Sequence, residues 1–181
     1  MPRNKVILKE QLLQLSKKEL VDMVLKLSAK RFNYEYLLVN FLDPDNGEQI
    51  LFEEALQELQ ILFDKEFKGR TLQHQRVKML TACMKRIKDF TVETKNKKLE
   101  ADLLIFILEH ELSQKGNYLG AKYSGYDYKV ALILKKTITI VTQKLHPDYL
   151  LDYLDIINKM LRKLHQTSER INTVRNLPEN I

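Results

Sequence analysis

Apolar residues return every three to four positions along almost the whole chain, and that spacing predicts helices. Ile7, Leu8, Leu12 and Leu13 give a short first helix over residues 5–13. Ser16-Lys-Lys-Glu19 then has the form of a capping box. In such a box the serine oxygen takes an orphan amide and the glutamate reaches back to the serine amide. The helix it opens carries Leu20, Met23, Val24 and Leu27 on one stripe toward Ala29, and a bent continuation through Tyr34, Leu37, Leu38 and Phe41 fits the same spacing. Asp43-Pro-Asp-Asn-Gly47 is a turn by composition. The next helix, over residues 48–67, places Phe52, Ala55, Leu56, Leu59, Leu62 and Phe63 inward, with Gly69 as a left-handed stop.

Residues 71–90 read as a helix with Val77, Leu80, Met84 and Ile87 inward, and residues 91–97 as a polar connector. Residues 98–114 form the most apolar helix, which is therefore expected at the centre. After a loop over residues 115–125, Ser124-Gly-Tyr-Asp127 caps a helix reaching Leu145, with Val130, Leu134, Ile138 and Val141 on its stripe. The β-branched run over residues 137–142 suits a strand by composition. It lacks flanking turns and a second strand to pair with, so a helix is expected there too. His146 caps the last helix, which has Pro147 at its first position and Leu150, Leu154, Ile157 and Leu161 inward. The prediction is an all-α single domain, a bundle of six to seven helices stacked as antiparallel hairpins, over residues 1–165. Residues 5–28 would be a short hairpin, residues 48–164 the main bundle, and residues 166–181 a polar tail expected to fray.

Composition narrows the class further. Only 5 Gly and 4 Pro interrupt the chain, which favours long helices over the many turns of a sandwich or barrel. Cys83 stands alone, so no internal disulfide framework is expected. The first ten residues hold only the short apolar run Val6-Ile-Leu8, too little for a signal peptide, and the longest apolar stretch, residues 103–108, is too short for a membrane span. A cytoplasmic protein without a membrane partner is the expectation.

The net charge of +6 has one source. Residues 65–98 hold 11 of the basic side chains and carry the entire basic excess of the chain. Lys78, Lys85 and Arg86 project from the side of their helix opposite Leu80 and Ile87. Lys68 and Arg70 precede that helix, and Lys95, Lys97 and Lys98 follow it. Such an array can neutralise phosphates without reading bases, or it can be an ordinary solvated face. Arg76 differs, because it falls inside the apolar arc. A buried guanidinium needs a carboxylate, and Asp102 and Glu109 on the next helix are the candidates.

His110 shares a wheel sector with Leu99, Leu103 and Phe106. A core histidine, a general base and a metal ligand all fit that position. No pair among His74, His110, His146 and His165 has metal-ligand spacing. Asp148, Asp152 and Asp155 open a helix, where acids complement the dipole. No metal or cofactor is therefore expected, and Cys83 reads as a core thiol. The most unusual composition lies in residues 115–129, with three of the five glycines and four of the eight tyrosines. Tyr118, Lys122, Tyr123 and Tyr126 are candidates for a partner-binding loop, or the tyrosines cover the edge of the core.

Three short motifs carry a resemblance. Leu15-Ser-Lys-Lys-Glu-Leu-Val21, Asn40-Phe-Leu-Asp-Pro44 and Ala101-Asp-Leu-Leu104 resemble a family of small α-helical bacterial proteins built on a domain of unknown function. The likeness spans residues 9–164 and implies a bacterial helical protein, with no site residues to carry over. Three functions follow as expectations. The first is a non-enzymatic protein-interaction module, with a homo-oligomer as one form. The second is a nucleic-acid-binding module using residues 65–98. The third is an enzyme or small-ligand binder around Arg76 and His110. The first is preferred, because no motif here is specific to catalysis.

Overall fold

The computed structural model describes residues 2–67, 72–113, 118–120 and 125–181, with side chains from Lys5 onward. Every described element is helical, and the β-branched run over residues 137–142 lies inside a helix. The chain divides into two units, Met1–Glu48 and Gln49–Ile181, where the sequence suggested one domain.

In the N-terminal unit α1 covers Pro2–Leu13 and α2 covers Lys17–Ser28. The capping box is present: Ser16 Oγ accepts from Glu19 N, and Glu19 accepts from Ser16 N at 2.8 Å. The helix does not continue in bent form. It stops at Ala29, and a new helix, α3 (Arg31–Leu37), starts after the extended Lys30. That helix widens into a π turn over Leu38–Leu42, closed by Asp43 N donating to Leu38 O at 2.9 Å. Asp43 then organises the turn by accepting from Asn46 N at 3.1 Å. Gly47 starts α4 (Gly47–Phe63) at a close approach: a Cβ would stand 3.1 Å from Leu38 O and from Val39 Cα, tight enough that the backbone of the π turn would have to give by a few tenths of an ångström.

The second unit continues α4 and adds α5 (Leu72–Thr94), α6 (Lys97–Ser113), α7 (Gly125–Gln143), α8 (Leu150–Ser168) and α9 (Asn172–Arg175). A 3-10 turn, Pro147–Tyr149, leads into α8 behind the His146 cap. α6 is apolar on nearly every side and packs on α5, α7 and α8, so it is the central helix. Leu103, Leu104, Ile107 and Leu108 have no exposure.

Several expectations are corrected. Nine α-helices lie among the described residues instead of six to seven, because residues 17–41 split and the tail folds. Residues 166–181 are not a frayed end. α8 runs through Ser168, Val174 is fully buried, Leu177 is 5% exposed, and Asn158 Oδ1 accepts from Ile181 N at 2.9 Å. Ile171, Val174 and Leu177 recur every third residue, which gives the tail its own inward edge. α5 also runs on to Thr94, through most of the expected connector. It ends at Lys95, whose φ of 55° is left-handed, and Asn96 Oδ1 caps α6. Its buried arc includes Arg76, Met79, Cys83, Arg86 and Phe90 beside Leu80 and Ile87, while Val77 and Met84 are only half-buried. The arc is wider than a single stripe because α4 packs on one side, through Phe52 against Phe90, while α6 and α7 pack on others.

Candidate functional site

Polar side chains from α5, α6 and α7 meet inside the second unit. Arg76 Nη1 donates to Glu111 Oε1 at 3.2 Å and to Oε2 at 3.0 Å. Tyr126 OH donates to Glu111 Oε2 at 2.7 Å, and His110 Nδ1 lies 3.2 Å from Oε1. The Glu111 side chain has no solvent exposure. Tyr118 lays its ring over the Arg76 guanidinium, 4.0 Å from ring centroid to Cζ, while Arg76 Nε is buried without a hydrogen-bond partner among the described residues. His110 is held by its other face: its ring stacks on Phe63 at 3.8 Å with a 4° tilt.

This network fixes protonation. Burial, then the Glu111 charge, pushes the Tyr126 phenol above its ordinary range, so it stays a donor. Burial, again with Glu111, pushes the Cys83 thiol up to about 12. Cys83 is therefore an inert core thiol.

Arg76 is buried as expected, but neither expected acid is its partner. Asp102 instead takes Lys98 at 3.2 Å and accepts from Tyr153 OH at 2.6 Å, and Glu109 is exposed. Glu111 was missed although a signal was present: it lies four residues after Ile107, on a helix whose inward face has little else polar. Tyr126 is likewise corrected. It is 1% exposed and belongs to the core network, not to a partner loop. Tyr118 is half-buried over Arg76, while Lys122 and Tyr123 lie outside the described residues.

Beyond His110 a cleft of about 470 Å³ opens between α6 and α8, walled by Phe106, Leu112, Ile156 and Met160 and edged by Glu109, Lys159 and Lys163. Arg76 is not among the described residues that line this cleft. Among the described residues no group of three or more His, Cys, Asp or Glu side chains is placed to hold a metal. No described helix is long and apolar enough to cross a membrane.

Among the described residues the basic segment divides between surface and interior. Lys78 and Lys85 are exposed on α5, but Arg86 is 6% exposed and pairs with Glu58 on α4 at 2.6 Å. Arg86 shares the inward arc of Met79, Cys83 and Phe90, and the packing of α4 covers it. Lys68 and Arg70 lie outside the described residues. Lys95 and Lys98 are exposed, while Lys97 pairs with the buried Glu100 at 2.6 Å. Lys136 of α7 meets the same carboxylate at 2.8 Å.

The N-terminal unit supplies a different kind of surface. No residue of α2 is buried. Leu13 is 74% exposed, Leu25 63% and Phe32 57%. On a wheel at 100° per residue Met23, Leu27, Leu20, Val24, Val21 and Leu25 span an arc roughly 200° wide, about twice what one buried face needs. α3 packs against α2, and Val21, Val24 and Leu25 remain open around a shallow depression.

Comparison of the chain with protein-family models, with curated proteins and with solved structures finds no match in any of the three.

Proposed function

We propose that this chain is a non-enzymatic protein-interaction module of the bacterial cytoplasm. Its N-terminal unit would pair with the same unit of a second copy. The observation that carries the reading is the exposed apolar surface of Met1–Glu48, where fourteen large apolar side chains are exposed. At about half exposure they amount to on the order of 1,000 Å², comparable with the roughly 800 Å² each partner buries in a standard interface. Contiguous apolar surface of that size is rare in a monomer and marks an interaction site, and Leu20, Val21, Val24 and Leu25 already adjoin one another on α2. A second copy fits because α2 carries both signs beside its apolar arc, Lys17, Lys18 and Lys26 with Glu19 and Asp22. Two such helices can oppose unlike charges.

Bacterial origin rests on the three short motifs, and the cytoplasmic setting on the lone Cys83. The second unit would be the scaffold, with its helices stacked as antiparallel hairpins. Sedimentation velocity tests the reading. The full chain should form a dimer whose population rises with concentration, and the double variant Val21→Asp/Leu25→Asp should be monomeric with unchanged helix content. A chain that stays monomeric at every concentration, or a variant that dimerises as well as the parent, refutes it.

A further inference from the structure

One groove brings together four lysines, only one of which belongs to the segment singled out by sequence. It measures about 380 Å³ and lies between the start of α6 and the second half of α7. Lys97, Lys135, Lys136 and Lys144 line it against a single carboxylate, Glu100. That carboxylate is 2% exposed and already holds Lys97 and Lys136, so it fixes two ammonium groups from two helices at one place. Lys135 and Lys144 are exposed, with no acid in ion-pair distance among the described residues. Two of the four ammonium groups thus share one buried carboxylate and two have none, which leaves the groove an excess of three positive charges.

The lysines select an anion, and their spacing favours an extended one. Lys135 lies on α7 and Lys144 directly after its last residue, nine positions on, a rise of roughly 13 Å at helical spacing. One small anion does not span that length. A nucleic-acid strand carries a charge about every 3.4 Å of its axis, so several phosphates fall within it. The amides at the start of α6 do not compete for the ligand, because Asn96 Oδ1 already takes those of Lys98 and Leu99 at 3.1 and 3.2 Å. Among the described residues no aromatic side chain lines the groove, so the contact expected there is with backbone and not with stacked bases.

We propose that the groove between α6 and α7 binds the sugar-phosphate backbone of a nucleic acid through Lys97, Lys135, Lys136 and Lys144, without reading sequence.

The test is fluorescence anisotropy of the full chain with labelled mixed-sequence single strands and duplexes, between about 50 and 200 mM salt. Log affinity should fall linearly with log salt, with a slope of about −2 to −4. Lys135→Glu/Lys144→Glu replaces two exposed side chains and should weaken binding roughly ten-fold or more, flattening the slope by about 2. Lys78→Glu/Lys85→Glu makes the same change in net charge on α5 and should have much less effect. Equal loss in both variants would reduce the binding to bulk charge and overturn the site. So would no loss in the first variant, no binding at the lowest salt, displacement of the strand by stoichiometric pyrophosphate, or binding to phosphatidylserine vesicles in place of oligonucleotides.

Discussion

Arg76 and Glu111, 35 residues apart, meet at 3.0 Å where neither side chain is more than 9% exposed. The pair ties α5 to α6, and Tyr126 adds α7 to the same carboxylate. Two charges removed from water recover their desolvation cost only with good geometry and filled hydrogen-bond positions. Glu111 accepts from both Arg76 and Tyr126. Glu111→Leu leaves the Arg76 cation stranded and should cost about 3–5 kcal/mol in urea unfolding. Arg76→Met combined with Glu111→Leu should cost less than Glu111→Leu alone. A double variant that loses the sum of the two single losses would show that the groups are not coupled.

Glu100 gives the fold a pH dependence with a definite sign. Burial alone would raise its pKa, but the hydrogen bonds and charges of Lys136 and Lys97 outweigh burial and hold it below its ordinary value. A carboxylate with a depressed folded pKa stabilises fully above its unfolded pKa, and that stability disappears as pH falls through the folded value. Stability should therefore decline on acidification below the usual carboxylate range. Glu100→Gln should be less stable than the parent at neutral pH, and the gap should close in acid. Urea midpoints at several pH values measure this, and a gap that stays constant down to acid would be the contrary result.

Helices were legible from apolar spacing because burial of one stripe is a local pattern, and α4 through α8 all appear near their expected positions. Partners were not legible, because pairing depends on how helices rotate against each other. Arg76 was placed inside by its wheel position, yet its acid could not be chosen among Asp102, Glu109 and Glu111 without that rotation. Arg86 shows the same limit from the other side. A wheel built on Leu80 and Ile87 turns it outward, whereas the helix is covered on several sides and Glu58 meets it there. The tail was underestimated because Val174 and Leu177 are isolated among polar residues, and two well-placed apolar side chains suffice to anchor a short helix.

Cys83 has no exposure, and its thiol is pushed up to about 12 by burial and by Glu111. The thiolate is the reactive form, so a maleimide or disulfide reagent should label the native chain only through opening of the fold. Labelling in mildly alkaline buffer should be slow and should accelerate with sub-denaturing urea in step with unfolding. Rapid labelling without urea would mean that the α5–α6 contact is open to solvent.

Gly120 and Gly125 should answer very differently to one added methyl group. Gly120 sits at φ +83°, and a Cβ there would stand 2.8 Å from the Thr167 carbonyl oxygen on α8. Its amide donates to Asp127 Oδ2 at 2.7 Å, its carbonyl accepts from Arg170, and the same Asp127 oxygen accepts from Ser168 Oγ at 2.7 Å. Gly120 therefore cannot move away from α8 without breaking the contact that joins the turn, the start of α7 and the end of α8. Left-handed backbone costs a non-glycine residue about 1–2 kcal/mol. The clash is with backbone rather than with the end of a flexible side chain, so Gly120→Ala should cost more than that. At Gly125, which opens α7, a Cβ meets nothing within 4 Å among the described residues. Gly125→Ala should be neutral or stabilise by a few tenths of a kcal/mol, about what is expected where the added methyl fits. Thermal midpoints of the two variants, measured side by side, decide it. Equal losses would mean that the turn at Gly120 does not hold the end of α8.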